Sequence, residues 1–356
     1  MTRKRRKQMI PRLRVALTAT LTAVTAACGG SDTKAPTSLT LIAYESFVLP
    51  EDAFDDFTAT TGIEVRVALG RDAGDLLAKA VLTAGNPEGD VLWGVDNTLL
   101  SRAIDGEVFD PYVSPMTAVS PSVSAAGGAV VTPVDVGYVC VNYDIAELQS
   151  RSLPVPTTMD DLVDARYRDL LVVQNPAMSS PGLAFLLATV ARYGADWMSY
   201  WQALVDNGVL VVDGWSDAYY SSFTRYGGDR PLVVSYSTSP PAEVLFADPP
   251  LKAGSPAPTG VLVDSCFEQI EFAGVLRGTD HVDAARQLVD YLVSRAFQEL
   301  LPENLFVYPV RTDAEIPSSF LTYAPIVRQP LRLDTDTIAA GRQEWIDTWT
   351  AVVLGR

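Results

Sequence analysis

The sequence predicts an α/β protein with two lobes, each a mainly parallel sheet flanked by helices, joined by a hinge. Strand patterns alternate with helix patterns along most of the chain, which is typical of parallel sheets. About 320 residues follow the N-terminal segment, more than one compact core usually holds. Two long apolar runs, 136–144 and 261–276, bracket the middle of the chain. We therefore expect the chain to cross to a second lobe and return.

The first 27 residues have the composition of a secretory signal peptide. Seven basic residues and no acid accompany a short apolar run that ends before Cys28. Two alanines precede Cys28 and small residues follow it, as in bacterial lipoproteins, so Cys28 is the predicted lipidation site. Residues 28–37 are small and polar and are expected to form a tether. The chain is thus predicted to be extracytoplasmic, as a cell-membrane lipoprotein or a periplasmic protein.

The charge balance argues against nucleic acid as a partner. Removal of residues 1–27 takes away seven of the 27 Lys and Arg residues, so 20 basic residues face 43 acidic ones and the net charge is −23. An acidic surface repels phosphate backbones and mildly favours cationic ligands. The same charge also suits solubility outside the cell, so it supports a cationic ligand without requiring one.

Alternating strand and helix patterns begin at residue 38. They predict strands over 38–47, 63–69 and 90–95 and helices over 50–62, 72–85 and 97–106. The run 136–144 then predicts a long strand, and a short helix is expected from Thr158.

The alternation of strand and helix patterns resumes in the middle of the chain. It predicts strands over 169–176, 208–214 and 230–237 and helices over 181–194 and 216–223. After the run 261–276, residues 281–301 predict a strongly amphipathic helix. We assign residues 38–137 and 267–356, with the C-terminal helices, to lobe 1 and residues 138–266 to lobe 2. A cleft between such lobes commonly holds a small molecule.

Motifs for catalysis and metal binding are missing from the sequence. His281 is the single histidine and stands at a predicted helix start, so a Ser-His-Asp site is not expected. Neither a Walker-type loop nor a dinucleotide-binding glycine motif occurs, and no His/Cys spacing predicts a metal site. Cys140 and Cys266 are able to pair in an oxidising exterior. The sequence predicts a binding protein, not an enzyme, with no cofactor.

Aromatic and small polar residues follow several predicted strands, where ligand crevices open in α/β folds. Three such groups follow residues 38–43, 208–214 and 230–235; they are Tyr44 to Ser46, Trp215 to Asp217 and Tyr236 to Ser239. Ser179 and Ser180 precede Pro181 at a predicted helix start, a position that suits a helix cap or an anion. Each residue alone also fits core packing or capping. Their convergence predicts a site.

The sequence resembles the thiamine-binding periplasmic proteins of bacterial ABC importers. The resemblance extends over nearly all of the chain after the signal, and DGWSDAY and SYSTSP, at residues 213–219 and 235–240, are its most specific stretches. Other matching stretches are LTLIAYESF, LWGVDNTLL, PVDVGYVCVNYD, NPAMSSPGLAFLL, VYPV and RQEWIDTW. The resemblance implies a type II, two-lobed fold that closes on thiamine, thiamine monophosphate or thiamine diphosphate and delivers it to an ABC permease and its ATPase.

The resemblance also implies the site. The implied ligand-binding residues are Tyr44, Glu45, Asp72, Ala73, Ser179, Ser180, Trp215, Tyr236, Ser237, Thr238, Ser239, Pro240 and Phe306, where Phe306 replaces a tryptophan of related proteins. Asp217 is a further predicted ligand-binding residue, because its carboxylate is able to attract a cation. Two departures are a longer loop at residues 70–74 and Pro241 with Ala242 where relatives have a tyrosine. The loss of that hydroxyl suggests a preference for unphosphorylated thiamine.

Thiamine chemistry fits these residue types. Aromatic faces suit its flat rings and its permanent thiazolium cation, and carboxylates attract the cation or accept from the pyrimidine amine. Three alternatives remain at this point. Adjacent Tyr219 and Tyr220 suit a ferric-ion binder of the same fold, acids with aromatics suit a polyamine binder, and a lipid-anchored extracellular enzyme is the third.

Overall fold

A computed structural model describes residues 38–115, 118–252 and 254–355. The predicted signal peptide, the lipidation site Cys28 and the tether to residue 37 lie outside the described residues. Ten strands form one sheet. In chain order they are β1 Ser38–Ala43, β2 Glu64–Leu69, β3 Val91–Asp96, β4 Phe109–Asp110, β5 Thr132–Asp144, β6 Leu171–Gln174, β7 Leu210–Val212, β8 Leu232–Tyr236, β9 Thr259–Leu276 and β10 Tyr308–Pro309.

Helices cover the sheet. In chain order the α-helices are α1 Asp55–Thr61, α2 Ala73–Leu82, α3 Leu100–Asp105, α4 Pro121–Ala126, α5 Ile145–Ser150, α6 Ser180–Tyr193, α7 Trp197–Asp206, α8 Ser239–Leu245, α9 Val282–Leu292, α10 Arg295–Gln298, α11 Leu301–Asn304, α12 Ser318–Tyr323 and α13 Thr335–Val353. Short 3-10 helices span Met159–Val163, Ala165–Tyr167, Gly194–Asp196 and Thr224–Tyr226. A π-helix spans Asp217–Ser222.

The sheet has two parallel arms separated by antiparallel strands. Its main strand order is β2-β1-β3-β9-β5-β8-β6-β7. We call β2, β1 and β3 the first arm and β8, β6 and β7 the second arm; neighbours within each arm run parallel. The long strands β9 and β5 run antiparallel to each other and to the arms beside them. The α/β fold class predicted from the sequence is confirmed, with the two long predicted runs at the centre.

A disulfide joins the two central strands. Cys140 of β5 and Cys266 of β9 are bonded, with their Cα atoms 4.2 Å apart. The pairing of the strands is irregular between Val139 and Val141, next to this bond. The bond closes a long loop, since its cysteines are 126 residues apart, and such loop closure stabilises a fold by on the order of 4 kcal/mol. The lobe boundaries proposed from the sequence remain a prediction.

Local sequence signals explain many element ends. Alternate residues of β1 are buried, which the alternating sequence predicts. Gly62 ends α1 in the left-handed conformation, with φ of 72°. Thr158 and Asp161 form a capping box at the first 3-10 helix, where a short helix was expected. The first ten residues of α6 are buried, because this helix packs inside the fold.

One helix prediction was wrong, and a second helix is of an unusual type. Residues 281–301 do not form one helix, since α9 ends at Leu292 and Ser294 caps a separate helix, α10. The Ser294 hydroxyl accepts from the Phe297 N–H, and local capping of this kind competes with a continuous helix. The helix predicted over 216–223 is present, and its residues Asp217–Ser222 form a π-helix. A π-turn shifts side-chain directions by one residue per turn, and such turns are frequent at functional sites.

Candidate functional site

A cavity of about 290 Å³ opens between the first and the second arm of the sheet. Its walls come from the loop after β1, the starts of α2, α6 and α8, the segment after β7, one residue of β9 and the segment after α11. The lining residues that the argument uses are Tyr44, Glu45, Val48, Asp72, Ser180, Trp215, Tyr219, Tyr220, Tyr226, Tyr236, Ala242, Phe246, Glu271 and Phe306. Carboxyl ends of several strands therefore contribute to one site, as expected for α/β folds.

Ten of the predicted site residues line this cavity. They are Tyr44, Glu45, Asp72, Ala73, Ser180, Trp215, Tyr236, Thr238, Ser239 and Phe306. Four others are outside the lining. Ser179, Ser237 and Pro240 are buried, and exposed Asp217 borders a smaller neighbouring cavity that also touches Glu45 and Asp72.

Asp72 connects three segments through backbone hydrogen bonds. Its carboxylate accepts from the N–H of Ala73 at 2.7 Å, of Ser180 at 3.2 Å and of Trp215 at 3.0 Å. Burial raises the pKa of Asp72, and these hydrogen bonds oppose the rise. The carboxylate thus joins α2 on the first arm to α6 and to the segment after β7 on the second. Much of its acceptor capacity is used within the protein.

An aromatic wall, formed by Trp215, Tyr219, Tyr220 and Tyr226, lines one side of the cavity. The Trp215 and Tyr219 rings stack with centroids 4.9 Å apart, and Tyr220 packs edge-on against Trp215 at 5.3 Å. The Trp215 indole N–H donates to the Ser235 hydroxyl at 3.0 Å. The π-helix places the two adjacent tyrosines in this wall.

Buried Glu243 holds the wall from behind. The hydroxyl groups of Tyr219 and Tyr226 donate to its Oε1 at 2.7 Å and 3.0 Å, and Arg225 pairs with its Oε2 at 3.2 Å. Burial, followed by the Glu243 charge, raises the pKa of Tyr219 well above its ordinary value. The Tyr219 phenol is therefore held in its neutral form, with its hydroxyl directed at Glu243.

An acidic floor, defined by Asp96, Asp135 and Glu271, reaches the cavity through Glu271, and the other two acids are close to that residue. All three are at most 5% exposed, and Glu271 faces the cavity. The Trp93 indole N–H donates to Glu271 at 2.9 Å. Burial, followed by the charge of Asp96, raises the pKa of Glu271 to about 7. Burial and then Glu271 raise the pKa of Asp135 well above its ordinary value. A cation beside Glu271 would relieve this repulsion.

Polar side chains fix the floor and the cavity mouth. Ser180 donates its hydroxyl to Asp96, and the Gln269 amide donates to Asp96 at 2.5 Å. Near the mouth, the Thr238 hydroxyl donates to the Phe306 carbonyl. Phe306 has φ of 56°, a left-handed conformation that is strained for a bulky residue and that is often found at binding sites.

Two glycines admit the tyrosine rings beside the floor. Gly94 has φ of 118°, and a Cβ atom there would lie 2.7 Å from the Tyr44 ring. A Cβ atom on Gly137 would lie 3.3 Å from the Tyr236 ring. Tyr44 and Tyr236 therefore pack directly against strands β3 and β5, which a larger residue at Gly94 would prevent.

Sequence reasoning missed several lining residues. The sequence places Glu271 in a predicted strand, although an acid between Ile270 and Phe272 in an apolar run is itself a signal of a functional group. Tyr219 and Tyr220 enter the sequence-based prediction only as ligands of the ferric-ion alternative. Phe246 and Val48 gave no signal, because an apolar residue in a loop or short helix is common anywhere.

Aromatic faces and carboxyl groups around a cavity of this size define a binding site for a small organic molecule. The chain belongs to the family of bacterial extracellular solute-binding proteins, whose sequence model matches residues 86–329. This family consists of transport-related binding proteins and is not a family of enzymes, and its members are extracytoplasmic. Within the part of the chain that the structure describes, no helix has both the length and the apolar character needed to cross a membrane.

Relatives with matching length support a closer resemblance. A thiamine-binding periplasmic protein of Salmonella typhimurium is 29% identical, over 88% of this chain and 93% of the relative. Its counterpart in Escherichia coli is 28% identical over the same shares. A solved structure of a periplasmic thiamin binding protein has a TM-score of 0.77 at 27% identity, covering 89% of this chain and 96% of that one. The resemblance stated from the sequence is confirmed, and the fold is of type II.

Iron-binding proteins are more distant. Iron uptake protein A1 of Synechocystis is 21% identical over 80% of this chain and 78% of the relative. A ferric binding protein from Campylobacter jejuni has a TM-score of 0.69 at 14% identity, over 88% of this chain and 99% of that one, which shows the shared fold alone.

Proposed function

We propose that this chain is the extracytoplasmic substrate-binding component of an ABC importer. Its ligand is thiamine or a thiamine phosphate, which it binds in the cavity and delivers to the permease. We also propose that Cys28 carries a lipid that anchors the protein to the outer face of the cell membrane. The protein is proposed to catalyse no reaction. The anchor proposal rests on the sequence around Cys28.

The observation that carries the ligand proposal is the pairing of the aromatic wall with the acidic floor. A thiazolium cation and an aminopyrimidine ring match a cavity with stacked rings on one side and carboxyl groups at its inner end. Cation–π contacts contribute about 0.5 to 2 kcal/mol each, and charge-assisted hydrogen bonds about 1.5 to 3 kcal/mol. Thiamine-binding relatives of matching length support the same ligand.

A fluorescence titration tests the proposal. Thiamine is added to the purified protein, to a Trp215→Phe variant, to a Trp215→Ala variant and to a Trp345→Phe control, since Trp345 lies on α13 and outside the cavity lining. We expect saturable quenching in the parent and the control. Affinity should fall by about tenfold or more in Trp215→Ala, and less in Trp215→Phe, which keeps an aromatic face. A parent protein that shows neither quenching nor heat on thiamine addition contradicts the proposal.

The ferric-ion alternative is weakened by the hydrogen bonds of the wall. A ferric site built on neighbouring tyrosines needs tyrosinate ligands. The hydroxyl groups of Tyr219 and Tyr226 instead donate to Glu243, and the pKa of Tyr219 is raised above its ordinary value. Iron binding would also colour the protein through tyrosinate charge transfer. A colourless protein after incubation with ferric citrate is the expected result. Competition by spermidine in the thiamine titration tests the polyamine alternative.

A further inference from the structure

The lining of the cavity contains acids but no basic side chain. Glu45, Asp72 and Glu271 face it, and among the residues that the structure describes no Lys, Arg or His lines it. Proteins usually bind phosphate esters with Arg or Lys, or with free backbone N–H groups at a helix start. The electrostatic character of the walls is therefore suited to a cation and opposed to a phosphate.

Helix α6 starts at the cavity, and the Asp72 carboxylate already occupies the place at its N-terminus where an anion would bind. Ser180 begins α6, and its N–H donates to the Asp72 carboxylate at 3.2 Å. Pro181 has no N–H to offer. Gly182 packs against β6, since a Cβ atom there would lie 2.6 Å from the Gln174 carbonyl oxygen. A phosphate at this helix start would have to displace Asp72 or share a donor with it.

The start of α8 and the nearby arginines also offer few donors to a phosphate. α8 begins at the cavity but carries Pro240 and Pro241 in its first turn, so two of its first N–H groups are missing. Arg225 stands behind the wall and pairs with Glu243 at 3.2 Å. Arg71 borders the neighbouring smaller cavity, where Asp75, Asp213 and Asp217 are also found. Both arginines are thus beside carboxylates and outside the cavity lining.

We propose that this cavity selects an unphosphorylated cation, so that among the ligands of the proposed function it favours thiamine over its phosphate esters. This inference rests on the proposed function. A phosphate monoester carries a charge of about −1.5 to −2 at pH 7. Enclosing that charge near three carboxyl groups, without a cationic partner, opposes binding, whereas the hydroxyl of thiamine needs only ordinary hydrogen bonds.

Calorimetric titration of the purified protein with thiamine, thiamine monophosphate and thiamine diphosphate tests the selection. We expect the Kd of thiamine to be at least about tenfold lower than that of either ester. Equal or tighter binding of an ester overturns this inference and leaves the proposed function intact. Failure of all three ligands to bind overturns the proposed function, and this inference with it.

A charge-introducing variant tests the cause. Phe246 lines the cavity and is 68% exposed, so Phe246→Lys adds a cation at the mouth without disturbing the core. We expect the affinity ratio of ester to thiamine to rise at least about threefold. Two controls accompany it. Phe246→Gln removes the ring without adding charge, and Leu82→Lys adds the same charge at a site, 86% exposed, outside the cavities. A ratio that does not change in Phe246→Lys, or that changes equally in Leu82→Lys, contradicts the proposal.

Discussion

The aromatic wall lines the cavity with four rings and the acidic floor lines it through Glu271 alone, and the polar groups of the two are partnered in opposite ways. In the wall, Tyr219 and Tyr226 share one buried acceptor, Glu243, whose charge Arg225 balances. In the floor, Glu271 and Asp135 crowd together, and burial and neighbouring carboxyls raise the pKa of both. The wall is complete without a ligand, whereas the floor is relieved by a cation. We therefore expect the wall to stack on the rings of the ligand and the floor to attract its positive charge.

The largest expected effect follows from neutralising the floor. Glu271→Gln keeps an acceptor for the Trp93 N–H but removes the charge that attracts a cation. We expect thiamine affinity to fall by about tenfold or more, measured by calorimetry. The control is Glu268→Gln, on the same strand but paired with Arg332 outside the cavity. Unchanged affinity in Glu271→Gln would show that the floor does not contact the ligand.

The same variant separates binding from stability. An unfolded glutamate titrates near its ordinary pKa, about 4.3, whereas folded Glu271 keeps its proton to about 7. Between these values the folded protein binds more protons, so its stability falls as the pH rises through this window. We expect Glu271→Gln without ligand to melt at a higher temperature than the parent at pH 8, and at a similar temperature at pH 4.5. A lower melting temperature at pH 8 would contradict this account.

Breaking the support of the wall should instead affect folding. Glu243→Gln leaves Arg225 without its partner and gives two tyrosine hydroxyls a weaker acceptor. We expect the free energy of unfolding to fall by about 2 kcal/mol in urea titration, with a smaller change in affinity than in Glu271→Gln. Partly exposed Glu147→Gln, which loses a surface pair with Arg151, should change this free energy by less than about 0.5 kcal/mol. Equal losses in both variants would contradict the role of Glu243.

The pH dependence of binding sharpens the comparison further. A bound cation favours the charged form of Glu271, so binding below pH 7 must release its proton. Thiamine affinity should therefore rise between pH 6 and pH 8, by about several-fold. Titrations in buffers of different ionisation enthalpy report the released proton directly. In Glu271→Gln the slope should be flatter, and an equal slope would assign the proton to another group.

The smallest effect is expected at the exposed end of the wall. Tyr220 is 52% exposed and contributes its ring edge to Trp215. Tyr220→Phe keeps that ring, so thiamine affinity should change by less than about twofold in the fluorescence titration. A loss of tenfold would show that the Tyr220 hydroxyl contacts the ligand.

The sequence by itself determined the alternation of strands and helices, the two long strands, and ten of the residues that line the cavity. Periodicity and strand-end residues such as Tyr44, Trp215 and Tyr236 are local signals, so they are readable without coordinates. Only the tertiary structure decided that Glu271 from β9 shares a cavity with Trp215, that Asp72 is used by three backbone N–H groups, and that Ser294 divides the helix predicted over 281–301. These outcomes depend on contacts between residues far apart in the chain, or on a cap that outweighs periodicity, and neither is encoded in local spacing.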